Sequence, residues 1–480
     1  MRLSDLLEGC DLETSVSGLS DDSSRVCAGD LFVALAGLKH HGLQYAVQAE
    51  RAGATAIAYD PREGSPPAGL GIPAIAVPEL TARLGQIAAR FYGSPSIEME
   101  VIGITGTNGK TSCSVYLAQA LSGGVIGTLG WGRWPDLEPT AHTTAPVIET
   151  QRRLHSLHSL GVETVAMEVS SHALDQGRVD GIAFDLAVWT NLSRDHLDYH
   201  GTMESYAGVK RRLVVRPGLK GVVVNLDDPA WPAFTAGVQV PLLGFGWQQP
   251  PGADFPSLFA REVRFEPGFI KFTACFEGRE TGLRVPLLGE SNLANVLAVM
   301  ATLLARGDSL EEAASRVGNL SQVPGRMEGF RHPGRPLVVV DYAHTPAALE
   351  MALRSLRRHT RGKLWVVFGC GGERDRGKRP QMGKVAERLA DRIILSDDNP
   401  RHEDPDRIIE EVIAGMRKRP RVVRERAQAI ATAVTSAEAN DIVLVAGKGH
   451  ENFQEIAGEK RPSSDRALVA SLLGEVTSCA

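Results

Sequence analysis

A chain of 480 residues has room for about three domains of ordinary size. Its 43% hydrophobic and 23% charged residues describe a folded globular protein and exclude a disordered one. A formal charge of -5 gives no electrostatic footprint for nucleic acid, and no apolar run is long enough to span a bilayer.

The start, Met1 to Asp5, lacks a long apolar core, and the six cysteines are scattered without a Cys-x-x-Cys pair. Both point to a reducing cytoplasm. In the first hundred residues a polar loop, Asp22 to Val26, leads into a strand at Leu31 to Leu35. A loop over Gly37 to Gly42 and a helix over Tyr45 to Ala52 follow, then strands at Ala54–Tyr59 and Pro73–Val77. This is a small α/β unit, with Gly93-Ser94-Pro95-Ser96 as its linker. By themselves Ser24 and Arg25 read as solvated loop residues.

Val101 to Ile104 reads as a buried strand and Ser112 to Leu121 as an apolar-faced helix. Between them lies Thr105-Gly106-Thr107-Asn108-Gly109-Lys110-Thr111. Glycines let backbone N–H groups approach a polyphosphate at a helix N-terminus. Lys110 supplies positive charge and Thr111 a hydroxyl for magnesium. This is a nucleotide site, although Ile104 stands where the commonest phosphate loop has Gly. Cys113 reads as a small packed thiol.

Strands at Thr164–Val169, Leu186–Thr190 and Gly221–Asn225, with helices between, predict a mainly parallel sheet. Glu168, at a carboxyl end, is placed to ligate magnesium or to serve as a cap or ion-pair partner. The loop Thr190 to Gly201 is too rich in polar groups for a plain turn. Lys210, alone, looks like a solvated surface lysine. Gly252 to Arg284 reads as short strands, and Gly289 opens a helix whose Asn292 and Asn295 face a nucleotide or a cap. Strands at Pro336–Val340, Leu364–Phe368, Arg392–Ser396 and Asp441–Val445, with helices at Pro346–Arg357 and Pro405–Arg417, predict a second open α/β sheet. Its loops Gly369–Arg379, Asp397–Arg401 and Gly447–Glu451 share one edge and read as one pocket.

Gly103–Thr111, Glu168–His172, Asn191–Gly201, Asn292–Asn295, Gly325–Glu328 and Asp341–Pro346 stand in the order seen in Mur ligases, the ATP-dependent amino-acid ligases of peptidoglycan synthesis. The chain resembles that family over its whole length. His142-Thr143-Thr144, Glu168–His172 and Gln176-Gly177-Arg178 narrow the likeness to the branch that adds the third residue of the stem peptide. His142 and Gly177 depart from that branch's pattern.

The resemblance implies three α/β domains: a UDP-muramoyl-binding domain over 1–97, a central phosphate-loop domain over 98–324 and a Rossmann-like C-terminal domain over 325–480. It implies that Ser24, Leu38, Lys39 and His40 hold the uridine, and Thr143, Thr144, Ser170, Gln176 and Arg178 the muramoyl dipeptide. Gly106, Thr107, Asn108, Gly109, Lys110, Thr111, Ser112, Asn295, Arg326 and Asp341 match ATP-binding positions. Two magnesium ions are implied, with Thr111, Glu168, His196 and a carbamylated Lys210 as ligands. Lys110, Glu168, His196 and Lys210 carry the catalysis. Arg374, Asp398, Asn399, Pro400, Arg401, Gly447 and Glu451 match positions that recognise meso-diaminopimelate. The physics agrees, because an arginine fork grips the second carboxylate that lysine lacks. No nucleic-acid partner or membrane insertion is expected, and the chain is expected to act as a monomer. Lysine or ornithine is the alternative acceptor. The rivals are a folylpolyglutamate synthase and a nucleotide-dependent switch that makes no bond.

Overall fold

The computed structural model describes residues 1–37, 40–248 and 252–474, so Leu38 and Lys39 lie outside the described residues. Two compact units emerge: Met1–Thr105, Ser122–Ala187 and Leu197–Lys220 form one, and Gly106–Leu121, Val188–His196 and Gly221–Ala480 the other.

In the first unit, strands Gly18–Ser20, Asp30–Ala34, Ala56–Tyr59 and Ala74–Ala76 lie side by side and parallel. Asp30–Ala34 is buried along its length, because apolar residues cover both its faces. On one face Leu31, Val33, Ala56 and Ala58 pack with Leu80, Leu84 and Ile87 of the helix Leu80–Phe91. On the other, Phe32, Ala34 and Ile57 meet Leu43, Ala46 and Ala49. Truncating one of these leucines to Ala costs about 2–5 kcal/mol. The same unit holds a second ladder. Glu100–Thr105 runs parallel to Thr164–Glu168, which runs parallel to Gly124–Gly127; strands Gly130–Arg133 and Asp136–Glu138 continue it antiparallel. The register Ile104↔Glu168 brings Glu168 to the carboxyl edge.

In the second unit the helix Lys110–Leu121 follows the glycine loop. It is buried on all sides, from Thr111 to Ala118 and at Ala120, where the sequence suggested a single apolar face. The expected short strands of 252–284 are 10, 8 and 7 residues long: Ser257–Glu266, Phe269–Phe276 and Arg279–Val285 form an antiparallel meander. The C-terminal sheet runs Glu328–Phe330, Leu337–Asp341, Ile442–Ala446, Leu364–Phe368, Arg392–Leu395, Arg421–Val422, parallel after the first pair. Because Ile442–Ala446 inserts between Leu337–Asp341 and Leu364–Phe368, strand order switches there. Crevices at the carboxyl ends of such a switch are where open α/β sheets bind ligands. Gly369–Arg379, Asp397–Arg401 and Gly447–Glu451 all leave that edge.

Candidate active site

The glycine loop is built around two positive-φ glycines, Gly106 at +146° and Gly109 at +87°. A Cβ on Gly109 would stand 2.5 Å from Asn295 Oδ1, so a side chain there would displace that amide and would also be strained at this φ. Lys110 Nζ donates to the carbonyls of Gly106 and Thr107, both at 2.9 Å, which holds the ammonium over the loop. The segment Thr190–Ser193 braces it. Thr107 N–H donates to Asn191 O at 2.9 Å, Asn108 N–H to Asn191 Oδ1 at 3.0 Å, and Thr190 Oγ1 to Asn108 O at 2.6 Å. Ser193 N–H donates to Thr107 Oγ1 at 2.9 Å. This bracing role of Asn191 escaped the sequence, which read the loop as polar and matched it to a family motif without giving Asn191 a task.

Thr111 and Ser112 are each 6% exposed, and Arg326 Nη2 lies 3.5 Å from Thr111 Oγ1. The Arg326 guanidinium sits 4.4 Å from the centre of the Tyr342 ring, and its buried Nε has no hydrogen-bond acceptor among the described residues. Asp341 accepts from Met327 N–H at 2.7 Å and Ala343 N–H at 2.9 Å, which is the geometry of a turn cap, and burial raises its carboxyl pKa. Asn295 is 8% exposed on the helix Gly289–Ala305, with Nδ2 3.4 Å from Asn292 Oδ1. Cys113 is fully buried beside it, as a packed thiol.

In the first unit the dipeptide positions gather around Glu168, which is 1% exposed. Its Oε1 accepts from Thr128 N–H at 2.7 Å, and Thr128 Oγ1 lies 3.2 Å from its Oε2 and 3.0 Å from Thr143 Oγ1. Thr144 Oγ1 donates to the Glu168 carbonyl at 2.9 Å and accepts from Ser170 N–H at 3.2 Å. Ser170 caps the helix Ser171–Asp175. Arg178 donates to Thr144 O at 3.1 Å and, through Nε and Nη2, to Gln176 Oε1 at 3.0 and 2.6 Å. Gln176 Nε2 donates to Tyr199 Oη at 3.2 Å. The structure thus assembles Thr143, Thr144, Ser170, Gln176 and Arg178 into one polar network. Lys210 corrects the surface reading: it is 1% exposed, its Nζ 4.7 Å from the Tyr206 ring centre, because it falls on the inner face of the helix Met203–Val214. Ser24 is exposed and its Oγ donates to Asp22 Oδ1 at 2.7 Å; His40 is exposed, edge-on to Tyr45.

His196, in the second unit, is exposed at φ +52°, its Nε2 3.5 Å from Asp195 Oδ2. Among the described residues no group of three His, Cys, Asp or Glu is preassembled as a metal cage.

At the carboxyl edge of the C-terminal sheet, Asn399 Nδ2 donates to Glu451 Oε2 at 3.0 Å, and Asn399 Oδ1 accepts from Glu455 N–H at 2.9 Å. Arg401 stands at φ +52° and already has protein partners: Nε meets Glu455 Oε2 at 3.1 Å and Nη1 donates to Gly372 O at 2.6 Å. Its Nη2 has no acceptor among the described residues. Asp398 Oδ1 accepts from Asn399 N–H at 2.7 Å, whereas neither Asp398 Oδ2 nor Glu451 Oε1 receives a hydrogen bond from the described residues. Pro400 is buried, and Arg374 is exposed without an ion pair among the described residues. Gly447 adjoins Asp398 Oδ2. Two unspent carboxylate oxygens and a guanidinium N–H group can bind ammonium groups and a carboxylate together.

Three family profiles tile the sequence: "Mur ligase family, catalytic domain" matches 15–92, "Mur ligase middle domain" 104–303 and "Mur ligase, glutamate ligase domain" 325–449. The chain is 49% identical to the UDP-N-acetylmuramoyl-L-alanyl-D-glutamate–2,6-diaminopimelate ligase of Alkalilimnicola ehrlichii, over 96% of this chain and 95% of that protein. It is 48% identical to the protein of the same name from Xanthomonas campestris, over 98% and 97%. A solved structure of a ligase of that name superposes with a TM-score of 0.69 at 36% identity, covering 95% of this chain and 94% of the other.

Proposed function

Since the chain belongs to the Mur ligase family, we propose that it joins meso-2,6-diaminopimelate to UDP-N-acetylmuramoyl-L-alanyl-D-glutamate, at the expense of ATP, in peptidoglycan precursor synthesis. The observation that carries the choice of acceptor is the edge around Asn399. Asp398 Oδ2 and Glu451 Oε1 suit ammonium groups, and Arg401 Nη2 suits a carboxylate. Diaminopimelate brings a second carboxylate to Arg401 Nη2, whereas lysine and ornithine, with one carboxylate each, leave that N–H group unfilled and Arg401 held by Glu455 alone.

The reaction has two steps. The D-glutamate γ-carboxylate attacks the ATP γ-phosphorus, forming an acyl phosphate and releasing ADP. The neutral amine of diaminopimelate then attacks the acyl carbon; phosphate leaves and the amine's surplus proton passes to solvent. Lys110, held over the loop by two carbonyls, offsets charge on the transferring phosphoryl group. Arg326 and Asn295 hold phosphate and adenine, and Asp341 the ribose. The Thr143–Arg178 network orients the dipeptide. Magnesium is usually bound by one or two carboxylates with substrate phosphates; in the first unit the Glu168 carboxylate and a Lys210 carbamate, and in the second the Thr111 hydroxyl and His196, are each donors that would suit it. When bound, the metal offsets repulsion between carboxylate and triphosphate.

Uridine is assigned to Ser24 and the 38–40 loop, domain boundaries to 97/98 and 324/325, and the protein to the cytoplasm as a monomer. No helix among the described residues is long and apolar enough to cross a membrane. The test is incubation with ATP, the UDP-muramoyl dipeptide and each of diaminopimelate, lysine and ornithine. Amide product with diaminopimelate alone is expected; product with lysine alone would overturn the acceptor, and none with any amine would overturn the ligase reading.

A further inference from the structure

Lys448 lies in the turn after strand Ile442–Ala446 and is 0% exposed. Its Nζ donates to Asn399 Oδ1 at 2.9 Å and to Glu451 Oε2 at 2.9 Å, and lies 5.3 Å from the centre of the Phe453 ring. An ammonium leaves water only where fixed partners replace it. Here those partners include two residues assigned above to the acceptor.

The pattern of bonds is directional. Glu451 Oε2 receives both Lys448 Nζ and Asn399 Nδ2, while Oε1 receives neither. The Asn399 amide is held in one sense, its oxygen towards the ammonium and its nitrogen towards the carboxylate. Asn399 Oδ1 also accepts from Glu455 N–H, and the Glu455 carboxylate holds Arg401 Nε. A single buried charge therefore stands at the head of a chain running through Asn399 and Glu455 to Arg401.

We propose that Lys448 is the positioning residue of the acceptor site. Its ammonium sets the orientation of the Glu451 carboxylate and the Asn399 amide and, through Glu455, the aim of the Arg401 guanidinium, so that a diamino dicarboxylic acid is held in one sense. This rests on reading that edge as the acceptor site.

Lys448→Met removes the charge at nearly constant volume. The KM for diaminopimelate is expected to rise about tenfold or more, as for loss of a buried charged hydrogen bond. The KM values for ATP and the nucleotide dipeptide should stay within about twofold. Preference for diaminopimelate over lysine should shrink with it. An unchanged diaminopimelate KM, or an equal rise in all three constants, would overturn the proposal, the second by showing general loosening. The unsubstituted enzyme runs alongside: if it makes no amide with diaminopimelate, the acceptor reading itself has failed. Should Lys448→Met not fold, Lys448→Gln, which keeps an N–H donor, is measured in the same way. Failure of both to fold would assign Lys448 to stability alone and end the proposal.

Discussion

Gly447 and Asp398 share one small volume: a Cβ on Gly447 would stand 2.6 Å from Asp398 Oδ2, and the Gly447 backbone is at φ +120°. The acceptor-edge carboxylate thus depends on the absence of a side chain two strands along the sheet. Gly447→Ala is expected to lower stability by about 1–3 kcal/mol through backbone strain and to raise the KM for diaminopimelate, with that for ATP unaltered. Denaturant titration and steady-state kinetics on all three substrates check this.

Lys110 donates to the loop carbonyls of Gly106 and Thr107 and is only partly buried. Lys110→Ala should therefore lower turnover by about 100-fold or more while the thermal midpoint moves little. Release of ADP in a coupled assay measures the first; a melt measures the second.

For Lys210, buried to 1% exposure, replacement by Ala is expected to abolish amide formation, with no recovery in excess bicarbonate. Near-native turnover in the variant would remove Lys210 from the mechanism.

Arg426 and Asp465 form a buried pair, each 2% exposed, with bonds of 2.8 and 2.7 Å. Asp465→Asn leaves the guanidinium without its counter-charge and should destabilise by about 3–5 kcal/mol. In Arg426→Met with Asp465→Leu, much of that loss should return, because neither charge then needs a partner. Urea midpoints decide between the outcomes.

His450 has its pKa pushed down to about 4, first by burial and then by Arg326, Arg466 and Lys448. A histidine held neutral in the folded state contributes stability that is fully present above its unfolded pKa of about 6.5. That contribution is lost as pH falls from there through about 4, because the unfolded chain takes up the proton first. Stability measured in urea should fall across that window, and more shallowly in His450→Gln.

Chain-local patterns determined a good deal. Short apolar runs located Leu364–Phe368 and Gly221–Asn225 to the residue, and the helix Pro346–Arg357 was likewise placed. The glycine loop before Lys110 was equally legible, because a phosphate cradle is written in consecutive residues. What the tertiary structure alone decided concerns partners distant in the chain. Asn399 meets Glu451 across 52 positions and Asn108 meets Asn191 across 83. Lys210 read as a surface residue because periodicity reports which face of a helix is apolar, not whether a lysine on that face is enclosed. Arg401 was expected to offer a free fork, yet Glu455 already holds its Nε. Burial and charge pairing are set by what the fold brings within a few ångströms, and nothing in the neighbouring sequence encodes that.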